Sequence, residues 1–327
     1  MTANRQDLEL FIPTQPSGPA LRALGEASVV EAYANPVTMT SDTKEIDRFG
    51  GFTVATVAKG ADYGFSTNTS DRIEMVARKI GGAAKIAEED LVDTTMGEST
   101  MRMYEEEAGK ALAAHYDNAA LAVTAAQNGT TVKYNSLYYE LTQAATTPHG
   151  NYSANQNILK IERSDFLAGT TGYAAIGDWL GRYEESLFFD DGNTVVLMSS
   201  AFRGLMRNQL NPQTGLPYFQ DVRDGQDAQF FGYRGRMSRG LRTSAVDTQT
   251  PTGNPIAIIG NRTLMNNGKA RTSAGMAPGN PGTQWQRAAN GIGFLSDEAL
   301  MKATMRRAFR ISTPLAFSIL EIIPDVP

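Results

Sequence analysis

The stretch from Leu91 to Asn128 constrains this chain more than any other. Thr95-Met-Gly-Glu98 reads as a capping box, with a Thr oxygen on the backbone and Glu98 reaching back to it. Behind it Met101, Tyr104, Ala108, Ala111, Leu112, His115, Ala119, Ala122 and Val123 recur at three- and four-residue steps. That is one apolar stripe along a helix, and Asn128-Gly129 supplies a stop. Arg102, Glu105, Glu106, Lys110 and Asp117 fall on the opposite face. About 30 residues at 1.5 Å each give a rod of roughly 45 Å. A rod this long and Ala-rich needs a large sheet or a neighbouring subunit to lie on.

Composition narrows the function classes. The 327 residues can bury a substantial core, 41% of them are apolar, and the net charge is −5. A mildly acidic chain is not expected to adhere to nucleic acid through free positive charge. The absence of cysteine removes disulfides, thiolate catalysis and Cys-based metal sites together. The start has no apolar signal-like core, and no 18-residue apolar run occurs, so neither a signal peptide nor a spanning helix is expected. The catalytic inventory is thin. His115 sits on the apolar stripe and reads as a core or interface residue, and His149 lies in a Thr/Pro/Gly loop. No phosphate loop or nucleophile elbow is present, and no catalytic, cofactor or metal residues are assigned. The acidic run Glu88-Glu-Asp90 with Asp93 suits the start of a helix better than a metal or acid/base cluster.

Upstream of the rod the chain looks short of local core. Residues 1–40 are broken by Pro13, Pro16, Gly18, Pro19 and Pro36, with room for one short helix between Leu21 and Tyr33. Leu8, Leu10, Phe11 and Ile12 have no evident local partner, which leaves a frayed terminus or an arm lying on something else. Residues 41–88 read as a long hairpin: Phe52–Val57 out, a Gly/Ser/Thr/Asn-rich tip over 59–70, and Arg72–Ile80 back. A two-stranded ribbon is marginal by itself, and its edges invite pairing with another chain.

From Thr130 to Gly260 the pattern turns to mixed α/β. It predicts a helix over Tyr173–Leu187, a buried strand Thr194–Met198 leading into a helix capped by Ser199 and Ser200, and a buried strand Pro255–Gly260. Arg234, Arg236, Arg239 and Arg242 are interleaved with Phe231 and Tyr233; a nucleic-acid patch has this look, but subunit ion pairing fits the net negative charge better. Asn261–Gly291 reads as a long loop, Leu295–Ile311 as apolar strands or a short helix, and Leu315–Ile323 as a strand. The sheet partners expected for the rod are the segment before it and this far C-terminus.

Taken in order, these segments carry a resemblance. A proline-rich arm, a hairpin with Val57-Ala-Lys-Gly-Ala61 at its tip, the acidic Glu88-Glu-Asp-Leu91, a long helix, Val195–Phe202, Ile259-Gly260 and a basic-apolar end at Pro314–Phe317 resemble the Hong Kong 97-type major capsid protein of tailed phages. The resemblance implies an α+β capsid fold with an N-terminal arm (1–40), an extended E-loop and lead-in strand (41–88), and a peripheral domain with a spine helix (89–129). An axial domain (130–260) and a returning peripheral part (261–327) complete it. It also implies a non-enzymatic subunit forming pentamers and hexamers of an icosahedral shell around double-stranded DNA, found in the virion and assembled in the host cytoplasm. A portal protein, a separate scaffolding protein and a decoration protein are the partners it suggests, with no membrane. An encapsulin-like nanocompartment shell shares the fold and is the alternative; a soluble enzyme lacks a site.

The inter-subunit contacts expected on this basis are Phe52, Val54, Lys59, Tyr63, Phe65, Arg72, Arg78, Glu105 and Glu106, with basic hairpin residues meeting spine carboxylates of a neighbour. Some shells of the family join a Lys of the E-loop to an Asn of the peripheral domain. Lys59 stands where such a Lys would be, but no Asn occurs between Ser296 and Arg310, so a non-covalent shell is expected.

Overall fold

The computed structural model describes residues 15–16, 18–51, 54–60, 62, 64, 69–87, 97–216, 218–219, 229–230, 232–273, 276–286 and 298–325. The chain is a mixed α+β protein. Helices α1 (Gly18–Ala27) and α2 (Val29–Tyr33) precede strands β1 (Asn35–Thr38), β2 (Thr43–Phe49), β3 (Ser70–Val76) and β4 (Arg78–Ala87). The rod is α3 (Gly97–Leu121), about 37 Å long at 1.5 Å per residue. Then come α4 (Leu137–Thr142), β5 (Ile158–Glu162), α5 (Thr170–Glu184), β6 (Thr194–Ser199), α6 (Ser200–Arg207) and β7 (Tyr233–Ser238). Strands β8 (Ile256–Asn261), β9 (Met265–Lys269), β10 (Gly282–Gln286), β11 (Glu298–Ile311) and β12 (Phe317–Ile323) complete the series.

The rod lies on a sheet organised by β11. Along one edge this 14-residue strand pairs first with β10 and then with β9; along the other it pairs with β4, from Glu298↔Ala87 to Arg307↔Arg78. β1 runs parallel to β9, and Gln15–Pro16 pairs with β10. Alternation sorts the faces: Ile80, Ala303, Met305, Phe309 and Ile311 join Leu112, Ala113, Tyr116 and Ala120 of α3 in one core. The segment before the rod is therefore its sheet partner, as expected.

The second sheet runs β7-β6-β8-β12-β5, with Gln229–Phe230 added at the β7 edge. Its central strands are buried on both faces. Val195, Leu197, Ile256 and Ile258 point into the core shared with α3, whereas Val196, Met198, Ala257 and Ile259 point into a second core under α5 and α6. Such strands read as continuous apolar runs rather than alternation, which is why Thr194–Met198 and Pro255–Gly260 were recognisable. Ser199 caps α6 by accepting from Phe202 N–H (3.0 Å), and Ile176, Trp179, Leu180 and Tyr183 form the buried stripe of α5.

Several expectations are corrected. The far C-terminal strand β12 does not complete the rod's sheet; it pairs with β8 and β5 in the second one. The predicted loop Asn261–Gly291 contains β9 and β10, and where apolar strands or a short helix were expected the described residues Glu298–Ile311 form one strand. The outgoing strand of the hairpin is Thr43–Phe49, not Phe52–Val57, and residues 54–58 are in no strand. The predicted helix at Tyr173–Leu187 begins and ends three residues earlier, as Thr170–Glu184.

The rod stops at Leu121, not Asn128. Thr124 N–H donates to Ser244 O (2.8 Å) and Val123 bridges Ser244, so tertiary pairing takes the backbone out of the helix. Asn128 instead heads a turn, its Oδ1 accepting from the N–H groups of Thr130, Thr131 and Val132. At the other end, Thr95 lies outside the described residues.

Residues 18–33 find a partner within the chain. Ala20, Ala23, Leu24, Val29 and Val30 are buried, and α1 crosses the rod where Gly109 lets the backbones meet. A Cβ there would stand 2.5 Å from Ala20 O and 2.9 Å from Ala23 Cβ. Two helices stand here where one short helix was expected, and they have local core; Leu8, Leu10, Phe11 and Ile12, the residues expected to lack a local partner, lie outside the described residues.

Candidate functional site

The residues expected to make contacts between subunits fall on two surfaces. The first is the β2–β3 hairpin with its connection over 50–69. β2 buries none of its residues and β3 only Ile73 and Met75. Met75 joins a small core with Met39, Ala77, Ala270 and Ala308, so the hairpin is seated on its own chain. Arg48 fastens it further, binding Asp71 across the ribbon (2.6 Å from Nε) while donating to Ser312 O at 2.7 Å. Farther out, Thr69 Oγ1 reaches Pro148 O at 3.3 Å. Phe49 remains 71% exposed and Val54 82%, and Lys59 is also exposed.

The second surface is the face of the first sheet that points away from α3. Lys79, Gly81, Ala83, Lys85 and Ala87 of β4 are exposed there, as is Lys302 of β11. Cross-strand register puts Lys79 opposite Arg306 and Ala83 opposite Lys302, so these share a face. Lys85 pairs with Glu298 (2.9 Å) and Arg306 with Asp42 (2.6 Å), leaving Lys79 and Lys302 as the positive charges of this face that make no ion pair among the described residues. Among the described residues β4 pairs only with β11, so the backbone groups of its other edge have no strand partner. This is an exposed, small-residue sheet face with an open ten-residue edge, the geometry by which a sheet can accept a further strand.

The predicted contact residues are distributed unevenly over these surfaces. Val54 and Lys59 sit on the hairpin connection, and Glu106 is exposed on the rod. Phe52, Tyr63 and Phe65 lie outside the described residues. Arg72 is engaged within its own ribbon, with Asp47 at 2.7 Å and Glu45 at 3.0 Å. Glu105 accepts from Trp285 Nε1 (3.1 Å) and Thr283 Oγ1 (3.2 Å), tying the rod to β10. Arg78 is half-buried at the start of β4, its guanidinium close to Gly129. The structure therefore does not bring the hairpin arginines and the rod carboxylates together within one chain.

Sequence reading missed two buried ionic centres. Asp117, placed on the polar face of the rod by periodicity, is fully buried. Its Oδ1 accepts from Ser28 Oγ (2.6 Å) and Val30 N (3.2 Å), and its Oδ2 from Val29 N (3.0 Å) and Ser238 Oγ (2.5 Å). Burial pushes its carboxyl up to about 6 despite these donors. The second centre is Glu31, bound to the fully buried Arg307 and to Lys269 Nζ (3.2 Å). Burial alone would raise Glu31, but Arg307 and then Lys269 outweigh it and hold the carboxyl below its ordinary value. Arg307 also donates to Gly279 O at 2.6 Å. A Ser before a five-residue helix signals a cap, but nothing local announces that an Asp 89 residues away completes it.

Both histidines are packed against their own chain. His115 is partly buried on the rod, and burial lowers its pKa, with Lys133 adding to the effect. His149 packs edge-on against Phe188, ring centroids 5.0 Å apart. Among the described residues no three His, Cys, Asp or Glu side chains are grouped to hold a metal, and no helix is long and apolar enough to cross a membrane.

No protein-family model and no curated protein matches the sequence. Solved structures do match. A structure from Mycobacterium phage Bobi superposes with a TM-score of 0.62 at 14% identity, covering 100% of this chain and 96% of that one. The capsid of cyanophage P-SCSP1u gives 0.59 at 13% identity over 91% and 89%. The mature capsid of bacteriophage PhiM1 gives 0.54 at 10% over 92% and 88%. From end to end, then, this chain has the fold found in phage capsid structures.

Proposed function

We propose that this chain is the major capsid subunit of a tailed phage, building an icosahedral shell from pentamers and hexamers around double-stranded DNA. The likeness to capsid structures over nearly the whole of both chains is the observation that carries the reading. In this reading residues 1–40 are the arm, 41–88 the E-loop and its lead-in strand, 89–129 and 261–327 the peripheral domain, and 130–260 the axial domain. Within this division the second sheet is shared, since β12 of the C-terminal part pairs beside β5 and β8 of the axial part.

The exposed surfaces support the same conclusion. The described part of the 50–69 connection leaves Val54 exposed, an apolar group with little reason to face water. The open face of the first sheet offers flat small residues between Lys79 and Lys302. A connection from one copy laid on that face of the next makes a head-to-tail contact, which closes into rings when the rotation permits. Many such modest contacts act together through high effective concentration. Portal, scaffolding and decoration proteins are the further partners of a subunit of this kind.

The test is to express the chain and image the product by negative-stain microscopy. Closed, uniform shells are expected. A variant with residues 54–68 replaced by a short turn should remain folded by circular dichroism and form no shells. A parent chain that stays monomeric at high concentration, alone and with its neighbouring gene products, would sink the reading.

A further inference from the structure

The outer face of the β2–β3 ribbon carries an unbalanced charge. Register puts Glu45 opposite Glu74, Asp47 opposite Arg72 and Phe49 opposite Ser70, and all six residues are exposed. Arg72 answers two of the three carboxylates, Asp47 at 2.7 Å and Glu45 at 3.0 Å. Glu74 makes no ion pair among the described residues. Like charges directly opposite one another weaken a ribbon, so within one chain the Glu45–Glu74 pair costs stability.

The face of the first sheet that points away from α3 has the opposite imbalance. Lys79 stands opposite Arg306, and Lys302 stands opposite Ala83, so about 13 Å along the strand direction separates the two lysines. Arg306 is answered by Asp42 and Lys85 by Glu298. Lys79 and Lys302 are exposed and make no ion pair among the described residues. Only Gly81 and Ala83 of β4 lie between them on this face, so a second layer can come close to the backbone.

We propose that the β2–β3 ribbon of one copy docks through its acidic outer face, at Glu74, on the basic sheet face of a second copy, at Lys79 and Lys302. Each patch is left unanswered by its own chain, and the two are opposite in sign. Phe49, 71% exposed, stands on the same ribbon face and brings apolar area to the contact. The polarity is the reverse of that expected from the sequence, in which basic hairpin residues meet carboxylates of the rod. The proposal rests on the capsid reading for contact between copies, and adds which charges recognise which. Facing charges of opposite sign set register and speed encounter, while like charges brought together repel. Both patches are exposed, so association through them weakens as salt rises.

Carbodiimide coupling of the full-length chain tests the contact, because it forms an amide only where a carboxylate touches an amine. Isotopically light and heavy chains are mixed, concentrated together, coupled and digested, and the linked peptides are weighed. Peptides joining Glu74 or Glu45 to Lys79 or Lys302 should appear with one light and one heavy member. Their absence, or the presence of same-label pairs alone, would overturn the proposal. A parent chain that forms shells without these peptides keeps the capsid reading and loses this contact. One that gives the peptides and no shells keeps the contact and loses the shell. Charge reversal supplies the second test. Glu74→Lys places a cation opposite Glu45, so the isolated chain should melt no lower, yet its association in sedimentation should weaken at least about tenfold. Adding Lys79→Glu and Lys302→Glu to that variant should restore association. Unchanged association in Glu74→Lys, or no recovery on reversing the lysines, would equally count against the contact.

Discussion

Glu31 and Arg307 show how one pair can decide the attachment of a segment. Arg307 is fully buried, and its Nε contact is the Glu31 carboxylate. Removing Glu31 leaves a buried guanidinium short of its counter-charge, so Glu31→Ala should destabilise the chain by about 3–5 kcal/mol, read from the urea midpoint. Replacing both residues with apolar ones of similar volume should cost clearly less, because no charge is then stranded. The depressed Glu31 carboxyl contributes stability that is present above its unfolded value near 4.5 and is lost as pH falls through its folded value. The opposite sign holds for Asp247, which burial raises to about 6 although Lys133 N–H donates to it at 2.7 Å. Its contribution falls as pH rises from about 4 to 6, and Asp247→Asn should flatten that part of the stability profile. Arg72 belongs to a different class, since the ion pairs it makes are exposed. Arg72→Gln should leave the midpoint of a thermal melt nearly unchanged.

Helix α1 depends on a close approach, not on its own propensity. Ten residues are too few to hold a helix in water, so it survives by laying Ala20, Ala23 and Leu24 on the rod. Gly109 sits at the crossing point, and any side chain there collides with the α1 backbone. Gly109→Val should cost about 1–3 kcal/mol through overpacking. Limited proteolysis should show faster cleavage within 18–33, while the second sheet keeps its protection.

For the whole molecule the consequential feature is the sheet face that the single chain leaves uncovered. If neighbours lie on it, Lys79→Glu with Lys302→Glu should leave the isolated subunit as stable as before and lower the yield of shells, counted by sedimentation. A double variant that assembles normally would remove this face from the interface. Non-covalent assembly remains the expectation, so particles boiled in denaturant should run at the 35.4 kDa of a single chain.

Local pattern determined the pieces that are regular and self-contained. The rod, the doubly buried strands β6 and β8, the stripe of α5 and the cap at Ser199 were all legible, because 3.6-residue periodicity, continuous apolar runs and a capping hydroxyl act within a few residues. The order of those pieces also carried the resemblance to capsid proteins. Partners distant along the chain were not legible. Only the tertiary structure decided that Leu121 ends the rod, because Ser244 captures Thr124, and that β12 belongs to the second sheet. It also decided that Asn266 and Asn267 form a buried strand where composition suggested a loop, with Asn267 accepting from the Tyr116 hydroxyl. Asp117 shows the reason most directly. Periodicity assigns a residue to a face of its own helix, but whether that face meets water or the donors of residues 28–30 and 238 depends on contacts that no local window contains.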